Sequence, residues 1–344
     1  MLRTNLKLFS LTAFLFFIVF VSCDNELSAQ EEGTHYNILP EVRPVEIKLA
    51  EPFNSPDEEY SGLAVFQNKL VLLPQYFFGL DKDTVGYLYT IDFSRITQYL
   101  NGSDTTPVRP DSIKAIGNGL QRFNHRGSGY EAIVFEGNNV FLSIEDIGIP
   151  TRTYLVKGIY DEQSNTIIFD INTLTELPQQ TNVRNYGYET LVKYGENIIS
   201  INELNGVNNV SQPKAFEYDE NLSMIKSFGL PHIEYRITDA TYVENNEFWA
   251  INYFWPGDSD LTRPDEDKIA EKYGIGEHQS IKNGIERILK FKIDRDSLKV
   301  ASAPIYIFPD EAQSSNWEGI AKFGNGFILV TDTYPRTRLV YVEP

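Results

Sequence analysis

One short pattern occurs five times along the chain. Each copy has an alternating apolar run, a two- to three-residue polar turn rich in Gly and Asn, and a second apolar run, which is the signal of a β-hairpin. The five copies align without a gap, so the chain is constrained to an all-β repeat architecture. They are SGLAVFQNKLVLLPQ from Ser61, EAIVFEGNNVFLSIE from Glu131, ETLVKYGENIISINE from Glu189, DATYVENNEFWAINY from Asp239 and EGIAKFGNGFILVTD from Glu318.

The strands around the hairpins predict how the repeat closes. Two further strand-like runs follow each of the first four hairpins, but only RLVYVE follows the fifth. The segment PVEIKLA at 44–50 can supply the missing strand. These features predict an all-β, five-bladed β-propeller whose ring is closed by the N-terminal strand joining the last blade. A β-sandwich predicts no such repeat with an incomplete last copy.

The long interval between the fourth and fifth hairpins leaves a six-bladed ring as the alternative. We expect one blade there, with an insertion at 255–286. Its segment RPDEDKIAEKYGI is predicted to form a short charged helix, with Pro264 near its start and Gly274 near its end.

The N-terminus has the layout of a secretory signal. Arg3 and Lys7 precede a largely apolar run at 8–21, which is too short for a typical spanning helix. The only cysteine, Cys23, lies in FVSC, which resembles a bacterial lipobox with Phe20 in place of the usual leucine. We expect Cys23 to be lipidated, and signal cleavage to a soluble secreted protein is the alternative.

The predicted organisation is a lipoprotein signal peptide at 1–22, a polar tether at 23–40 and a single β-propeller domain at 41–344. The expected location is the bacterial cell envelope, with the lipid anchored in the outer membrane on its periplasmic side or at the cell surface. The net charge of −18 argues against nucleic-acid binding and against a polybasic membrane patch. The oligomeric state stays open.

The ends of the hairpins predict a cluster of acids. In a propeller the innermost strand of each blade begins on the face where the second strand ends, so both hairpin ends lie at one mouth of the central channel. Seven of the ten end positions are carboxylates. The first-column residues are Ser61, Glu131, Glu189, Asp239 and Glu318, and the last-column residues are Gln75, Glu145, Glu203, Tyr253 and Asp332.

Several acids that converge on one axis repel each other, and a bound cation relieves that repulsion. A hard ion such as Ca²⁺ suits carboxylate and hydroxyl oxygens. The first-column residues Ser61, Glu131, Glu189, Asp239 and Glu318 are therefore predicted to hold a central Ca²⁺. The alternative is that polar residues simply end the strands beside a water-filled channel. The four histidines have no zinc-ligand spacing.

Arginines precede three of the first-column acids. Arg126, Arg184 and Arg236 lie shortly before Glu131, Glu189 and Asp239, and Arg122 lies in the first of these loops. We predict that these four arginines bind a small anionic ligand at the channel mouth. The alternative is that they form salt bridges to the excess acid.

The hairpins YSGLAVFQNKLVLL and WEGIAKF resemble those of the calcium-dependent soluble apyrases, the calcium-activated nucleotidases. The resemblance implies one calcium held by Ser61, Glu131, Glu189 and Glu318, with nucleoside diphosphates hydrolysed above it. Where that family has Asp-Asp-Arg after the first hairpin, this chain has PQY at 74–76, which argues against nucleotide hydrolysis. The repeats YEAIVFEGNNVFLSIED and WEGIAKFGNGFILVTD also look like those of phytase-like and esterase-like propellers.

Three functions follow from these features, and whether the chain is an enzyme stays open. The favoured function is a lipid-anchored propeller with a central calcium that binds a small anionic ligand, a glycan or a partner. The alternative is a calcium-dependent hydrolase of phosphate esters or anhydrides, with Glu145, Glu203 and Asp332 as catalytic carboxylates. The third is a glycosidase that uses paired carboxylates.

Overall fold

The computed structural model describes residues 36–79, 83–148 and 151–344. The described residues form an all-β chain with a few short helices. The predicted signal peptide, the lipidation site Cys23 and the tether up to residue 35 lie outside them. In the described part of the chain, no helix is long and apolar enough to cross a membrane.

The strands up to residue 176 are β1 (Ile38–Leu39), β2 (Glu41–Val42), β3 (Val45–Glu46), β4 (Tyr60–Phe66), β5 (Lys69–Pro74), β6 (Val85–Asp92), β7 (Asp111–Ile116), β8 (Gly129–Glu136), β9 (Asn139–Asp146), β10 (Arg152–Asp161) and β11 (Thr166–Glu176). The later strands are β12 (Thr190–Tyr194), β13 (Asn197–Ile201), β14 (Lys214–Tyr218), β15 (Met224–Gly229), β16 (Glu247–Phe254), β17 (Ile275–Gly276), β18 (Ile285–Asp294), β19 (Ser297–Val300), β20 (Ile305–Ile307), β21 (Trp317–Phe323), β22 (Gly326–Thr331) and β23 (Leu339–Val342). The helices are α1 (Phe93–Leu100), α2 (Ser259–Thr262) and α3 (Lys268–Tyr273), with 3₁₀ turns at Pro56–Glu58, Leu120–Phe123 and Pro256–Asp258.

All five predicted hairpins are present. Four of them are the antiparallel pairs β4–β5, β8–β9, β12–β13 and β21–β22. In the fourth hairpin the first arm is irregular, and it meets β16 through the isolated bridges Ala240 to Ala250 and Glu244 to Glu247. The alternating apolar pattern therefore located every hairpin, including the one whose first arm is not a regular strand.

Each hairpin turns through two residues, and the first of the two has a left-handed backbone. The φ angles are 47° at Gln67, 54° at Gly137, 61° at Gly195, 54° at Asn245 and 55° at Gly324. Glycine and asparagine reach positive φ at low cost, and such turns match the twist of the flanking strands. The Gly and Asn content of the turns thus fixes the register of the hairpins.

The outer strands complete the repeat units. β6 and β7 follow the first hairpin, β10 and β11 the second, and β14 and β15 the third, as predicted. In the fourth unit β18 pairs with β19 along one half and with β20 along the other. β19 was not predicted, whereas β20 lies in the predicted run APIYIF. Outer strands of neighbouring units also pair in parallel, β7 with β11 and β15 with β19.

The N-terminal segment completes the last sheet. β21, β22, β23 and β3 form a four-stranded sheet in that order. Val45 pairs with Tyr341, and Glu46 pairs with Val340. This is the pairing predicted from the strand missing after the fifth hairpin, and it brings the two ends of the described chain into one sheet.

The first arms of the five hairpins surround one space. A cavity of about 550 Å³ is lined by residues from every one of them, including Leu63, Ile133, Leu191, Ala240 and Ile320. The points where these arms begin therefore lie around one mouth, as the sequence pattern required.

The insertion after the fourth hairpin contains the predicted helix, which is shorter than expected. α3 begins at Lys268 because the Asp267 carboxylate accepts hydrogen bonds from the N–H groups of Ile269 and Ala270. Strand β1, at the end of the predicted tether, pairs in parallel with β17 of the insertion.

Candidate functional site

Bulges place three of the first-column residues. In β4, β8 and β21 the pairing ladder skips one residue, and the skipped residues are Ser61, Glu131 and Glu318. A bulge leaves its extra residue unpaired and redirects its side chain. These side chains are buried at the channel mouth, so the hairpins present a serine and two acids there.

An aromatic residue precedes four of the first-column residues and ties each hairpin to an earlier segment of the chain. All four side chains are buried. The sequence repeats this aromatic residue directly before Ser61, Glu131, Glu189 and Glu318, and that signal was overlooked. The bonds are Tyr60 Oη to Phe53 O (2.9 Å), Tyr130 Oη to Leu120 O (2.9 Å), Tyr188 Oη to Pro178 O (2.6 Å) and Trp317 Nε1 to Glu286 Oε2 (2.6 Å).

Arg236 lies among the buried glutamates. Its Nε donates to Glu203, and its Nη2 lies 3.6 Å from Glu189 Oε2 and 3.5 Å from Glu318 Oε1. Its Nη1 donates to Asn316 Oδ1 at 3.2 Å. The guanidinium therefore uses all three nitrogens inside the protein. We call the set Arg236, Glu131, Glu145, Glu189, Glu203 and Glu318 the carboxylate ring.

Burial and the neighbouring charges shift the pKa values of the groups in the carboxylate ring. Burial raises the pKa values of Glu145, Glu189 and Glu203 well above the usual range, and neighbouring glutamates raise them further. Burial also raises the pKa of Glu131, to about 7. Burial lowers the pKa of Arg236, but the Glu203 carboxylate and its neighbours raise it above the ordinary value. Burial therefore favours the protonated form of the ring glutamates, while the neighbouring carboxylates favour the charged form of the guanidinium.

Residues of the last column contact the first column of the next hairpin. Gln75 Nε2 donates to Glu131 Oε1 at 2.9 Å, and Tyr253 Oη lies 3.0 Å from Glu318 Oε1. The two columns predicted from the repeat thus meet at the boundaries between units.

Asp239 has a different set of partners from the ring glutamates. Its Oδ2 accepts hydrogen bonds from Leu63 N at 3.2 Å and Ile320 N at 2.8 Å, and its Oδ1 accepts one from Ala240 N at 2.8 Å. These N–H groups belong to the first arms of three hairpins. Asp239 therefore links three arms across the channel, a role that the metal-ligand prediction did not include.

Several oxygen atoms at this mouth are of the kind that binds calcium. Ser61 Oγ and one oxygen each of Glu145, Glu189 and Glu203 have no hydrogen-bond partner, and oxygen atoms of this kind suit a hard cation. Within residues 36–79, 83–148 and 151–344, however, no three His, Cys, Asp or Glu side chains are arranged to hold a metal ion. Arg236 lies against three of the glutamates instead. In this arrangement the Arg236 guanidinium is the cation that pairs with the ring glutamates.

The predicted anion-binding arginines separate into two kinds. Arg236 belongs to the carboxylate ring, as the salt-bridge alternative proposed. Arg122, Arg126 and Arg184 are exposed, and the Arg122 guanidinium lies 4.7 Å from the centre of the Phe123 ring. In the described part of the chain, the ion pairs to the ring come from Arg236.

A pocket of about 290 Å³ opens above Arg236, and we call it the mouth pocket. Trp255 and Tyr334 contribute rings that are 42% and 53% exposed. A side-chain Cβ at Gly257 would collide with the Trp255 ring, so glycine lets that ring lie against the backbone. The lining residues are Asn185, Tyr186, Arg236, Trp255, Asp258, Ser314, Asn316, Asp332 and Tyr334.

Asn316 connects the mouth pocket to the carboxylate ring. Its Oδ1 accepts hydrogen bonds from Arg236 and from Tyr253 Oη, while its Nδ2 donates to Asp332 Oδ2 at 2.6 Å. Burial raises the pKa values of the two pocket acids, Asp258 and Asp332. Of the predicted catalytic carboxylates, Asp332 lines this pocket, whereas Glu145 and Glu203 are buried in the ring.

No protein-family model matches the chain, and no curated protein matches its sequence. Solved structures with similar strand arrangements include the soluble aldose sugar dehydrogenase of Escherichia coli (11% identity, 88% of this chain and 99% of that one, TM-score 0.44). Another is an exo-β-1,3-galactanase of Phanerochaete chrysosporium with galactose (9% identity, 87% of this chain and 64% of that one, TM-score 0.47). A third comes from work on GH130 mannoside phosphorylases and glycoside hydrolases (10% identity, 90% of this chain and 97% of that one, TM-score 0.49). At these values the likenesses carry no argument about function. The resemblance to apyrases and phytase-like propellers stays one of short motifs.

Proposed function

We propose that the chain is a five-bladed β-propeller that binds a neutral, polyhydroxylated ligand, a sugar residue of a glycan, in the mouth pocket. The blade count rests on the five hairpins around one channel and on the sheet that joins both ends of the described chain. The mouth pocket is the observation that carries the proposed function.

The lining of the mouth pocket suits the two kinds of surface that a sugar presents. Trp255, Tyr334 and Tyr186 supply aromatic surface for the apolar C–H faces of a pyranose ring. Asp258, Asp332 and Asn185 supply hydrogen-bonding groups for its hydroxyls. The exposed rings of Trp255 and Tyr334 line one pocket together with the half-buried acids Asp258 and Asp332.

The charges favour a neutral ligand over the anionic one predicted from the sequence. Arg236 donates to Glu203 and Asn316 and pairs with two further glutamates. Its guanidinium therefore has no free pair of N–H groups to donate to a phosphate. Asp258 and Asp332 add negative charge at the rim, and the whole chain carries −18. A phosphate would meet repulsion here that a sugar hydroxyl does not meet.

Fluorescence tests this function because only three tryptophans are present. Trp317 is fully buried and Trp249 is half-buried, so Trp255 is the tryptophan that a ligand can cover. We expect glucose, galactose or mannose, or an oligomer of one of them, to change the emission. The change is expected to disappear in Trp255→Phe and to persist in Trp249→Phe. A panel in which no sugar alters the emission refutes the proposal.

Cleavage of a glycosidic bond is a second candidate function, favoured by one observation. Asp258 and Asp332 both line the mouth pocket, and burial raises the pKa of each. A carboxyl with a raised pKa can protonate a leaving oxygen while a second carboxylate assists. Turnover of aryl glycosides that falls about 100-fold or more in Asp258→Asn or Asp332→Asn would support it. Sugar binding without turnover would support the binding function and argue against catalysis.

The lipid anchor at Cys23, the envelope location and the calcium remain proposals from the sequence. A calcium ion bound by the ring glutamates would require Arg236 to leave Glu189, Glu203 and Glu318. Labelling with a fatty-acid probe that is lost in Cys23→Ser tests the anchor.

A further inference from the structure

A second cavity lies beside the mouth pocket on the same face of the molecule. Its volume is about 190 Å³, and its lining includes Thr153, Gln179, Thr181, Gly187 and Asn202. These residues come from segments where β10 begins, where β11 and β13 have ended and where β12 is about to begin. We call it the side cavity.

Tyr186 joins the two spaces. This residue lines both the mouth pocket and the side cavity, and its side chain is almost fully buried. The Tyr186 ring also lies 5.6 Å from the Arg236 guanidinium, which holds its position. One ligand can therefore extend from the mouth pocket across Tyr186 into the side cavity.

Glu145 lies behind the wall of the side cavity. Glu145 Oε2 has no hydrogen-bond donor, and the Glu145 side chain is 98% buried, since the residue is only 2% exposed. Thr153 lies opposite Glu145 in the β9–β10 ladder. A Cβ at Gly187 would collide with both the Glu145 carboxylate and Thr153 Oγ1, so the two groups lie against the backbone that lines the cavity. Glu145 does not line the cavity, and the polar groups that the cavity offers a ligand include Thr153 and Gln179.

The remaining groups around the side cavity are neutral in sum. Gln179 Nε2 donates to Thr181 O at 3.0 Å, which leaves its side-chain oxygen at the rim. Arg152 and Glu176 pair with each other at 3.8 Å, and both are exposed. Hydroxyl and amide groups beside an acid match a ligand that carries hydroxyls and no charge.

Each space has room for one sugar ring. A pyranose with its hydroxyls occupies about five water volumes, ~150 Å³ at roughly 30 Å³ per water. The mouth pocket has about 290 Å³ and the side cavity about 190 Å³.

We propose that the ligand is an oligosaccharide of at least two residues, with one sugar in the mouth pocket and the next in the side cavity, where Thr153 and Gln179 bind its hydroxyls. This inference rests on the proposed function of the mouth pocket and adds the length of the ligand. It assigns a binding role to Gln179, and position 187 is a glycine because a Cβ there would collide with Thr153.

Paired titrations test it with glucose, galactose and mannose and with the β-linked disaccharide of each, followed through Trp255 emission and calorimetry. We expect the preferred disaccharide to bind at least tenfold more tightly than its monosaccharide. In Gly187→Ala and in Gln179→Ala, the disaccharide should bind only as tightly as the monosaccharide, whose own affinity is unchanged. Gln179 is exposed, so its substitution keeps the fold even if Gly187→Ala does not. Gln163→Ala, on an exposed turn away from the mouth, is the matched control.

The outcomes separate the two proposals. Equal affinity for monosaccharides and disaccharides in the unaltered protein refutes the side-cavity site while the mouth pocket stands. Retention of the tenfold gain in both Gly187→Ala and Gln179→Ala also refutes it. Absence of any sugar binding refutes the proposed function itself.

Discussion

Replacing Arg236 with methionine gives a sharp prediction, because this guanidinium is the cation of the carboxylate ring. Methionine keeps much of the side-chain volume and removes the charge. Glu189, Glu203 and Glu318 then lose the partner that lies within 3.6 Å of each of them. Breaking a buried ion pair by removing one partner costs about 3–5 kcal/mol. We expect a loss of that size in the free energy of unfolding at pH 7.5.

The loss should depend on pH in a defined direction. The pKa values of these glutamates are raised in the folded protein, by burial first and by each other next, and removing Arg236 raises them further. Below the unfolded pKa near 4.5 the carboxyls are protonated in both states, so they contribute no penalty. As the pH rises, the unfolded chain releases its protons and the folded ring retains them. Stability then falls by up to about 1.4 kcal/mol per pH unit for each retained proton.

Urea unfolding at pH 5 and pH 7.5 measures this difference. Arg236→Met should be close to the unaltered protein at pH 5 and clearly less stable at pH 7.5. Arg336→Met is the control, because its pairs with Glu46 and Glu311 are partly exposed and ion pairs near the surface are worth about 0–1 kcal/mol. The reasoning is wrong if Arg236→Met loses less than about 1 kcal/mol at pH 7.5, or loses the same amount at both pH values.

Three further predictions follow from the same mouth. Asp239→Ala should lower stability by about 3 kcal/mol or more, because three buried N–H groups lose their shared acceptor. A melting temperature within the error of the unaltered protein would contradict this role. Gly257→Ala should weaken sugar binding about tenfold by displacing the Trp255 ring, which costs about 1.4 kcal/mol, and calorimetry showing unchanged affinity would count against it. A chelator should leave the melting temperature of the unaltered protein unchanged, and added calcium should raise the melting temperature of Arg236→Met. If the chelator lowers the melting temperature of the unaltered protein, the result favours calcium over Arg236 as the cation of the carboxylate ring.

The repeat made much of the fold predictable from the sequence. Alternating apolar residues have a period of two only in strands, and the two-residue turns restrict the register, so the five hairpins and the joining of the segment at 44–50 to the last sheet followed from the pattern. β19 was missed because SLKV is too short to show a period. α1 was missed because its segment adjoins a predicted strand without a clear break.

The candidate site was predictable only in part. The two columns of hairpin ends follow the repeat, so they identified Glu131, Glu189 and Glu318 as neighbours. The pairing of Arg236 with these acids depends on the path of a loop, and loop paths have no period. The mouth pocket is built almost entirely from such loops, including those that carry Trp255 and Tyr334. Calcium binding and lipidation stay predictions.

The parallel pairing of β7 with β11 and of β15 with β19 has a consequence for behaviour in a crowded compartment. An unpaired outer strand offers a row of N–H and C=O groups to which a strand of another molecule can add. In these two places the exposed rows of neighbouring units bond to each other, at Thr166 to Ile168 in the first and at Gly229 in the second. The molecule thereby shields part of its periphery from intermolecular strand addition, and variants that break these contacts should aggregate sooner than they lose their central architecture.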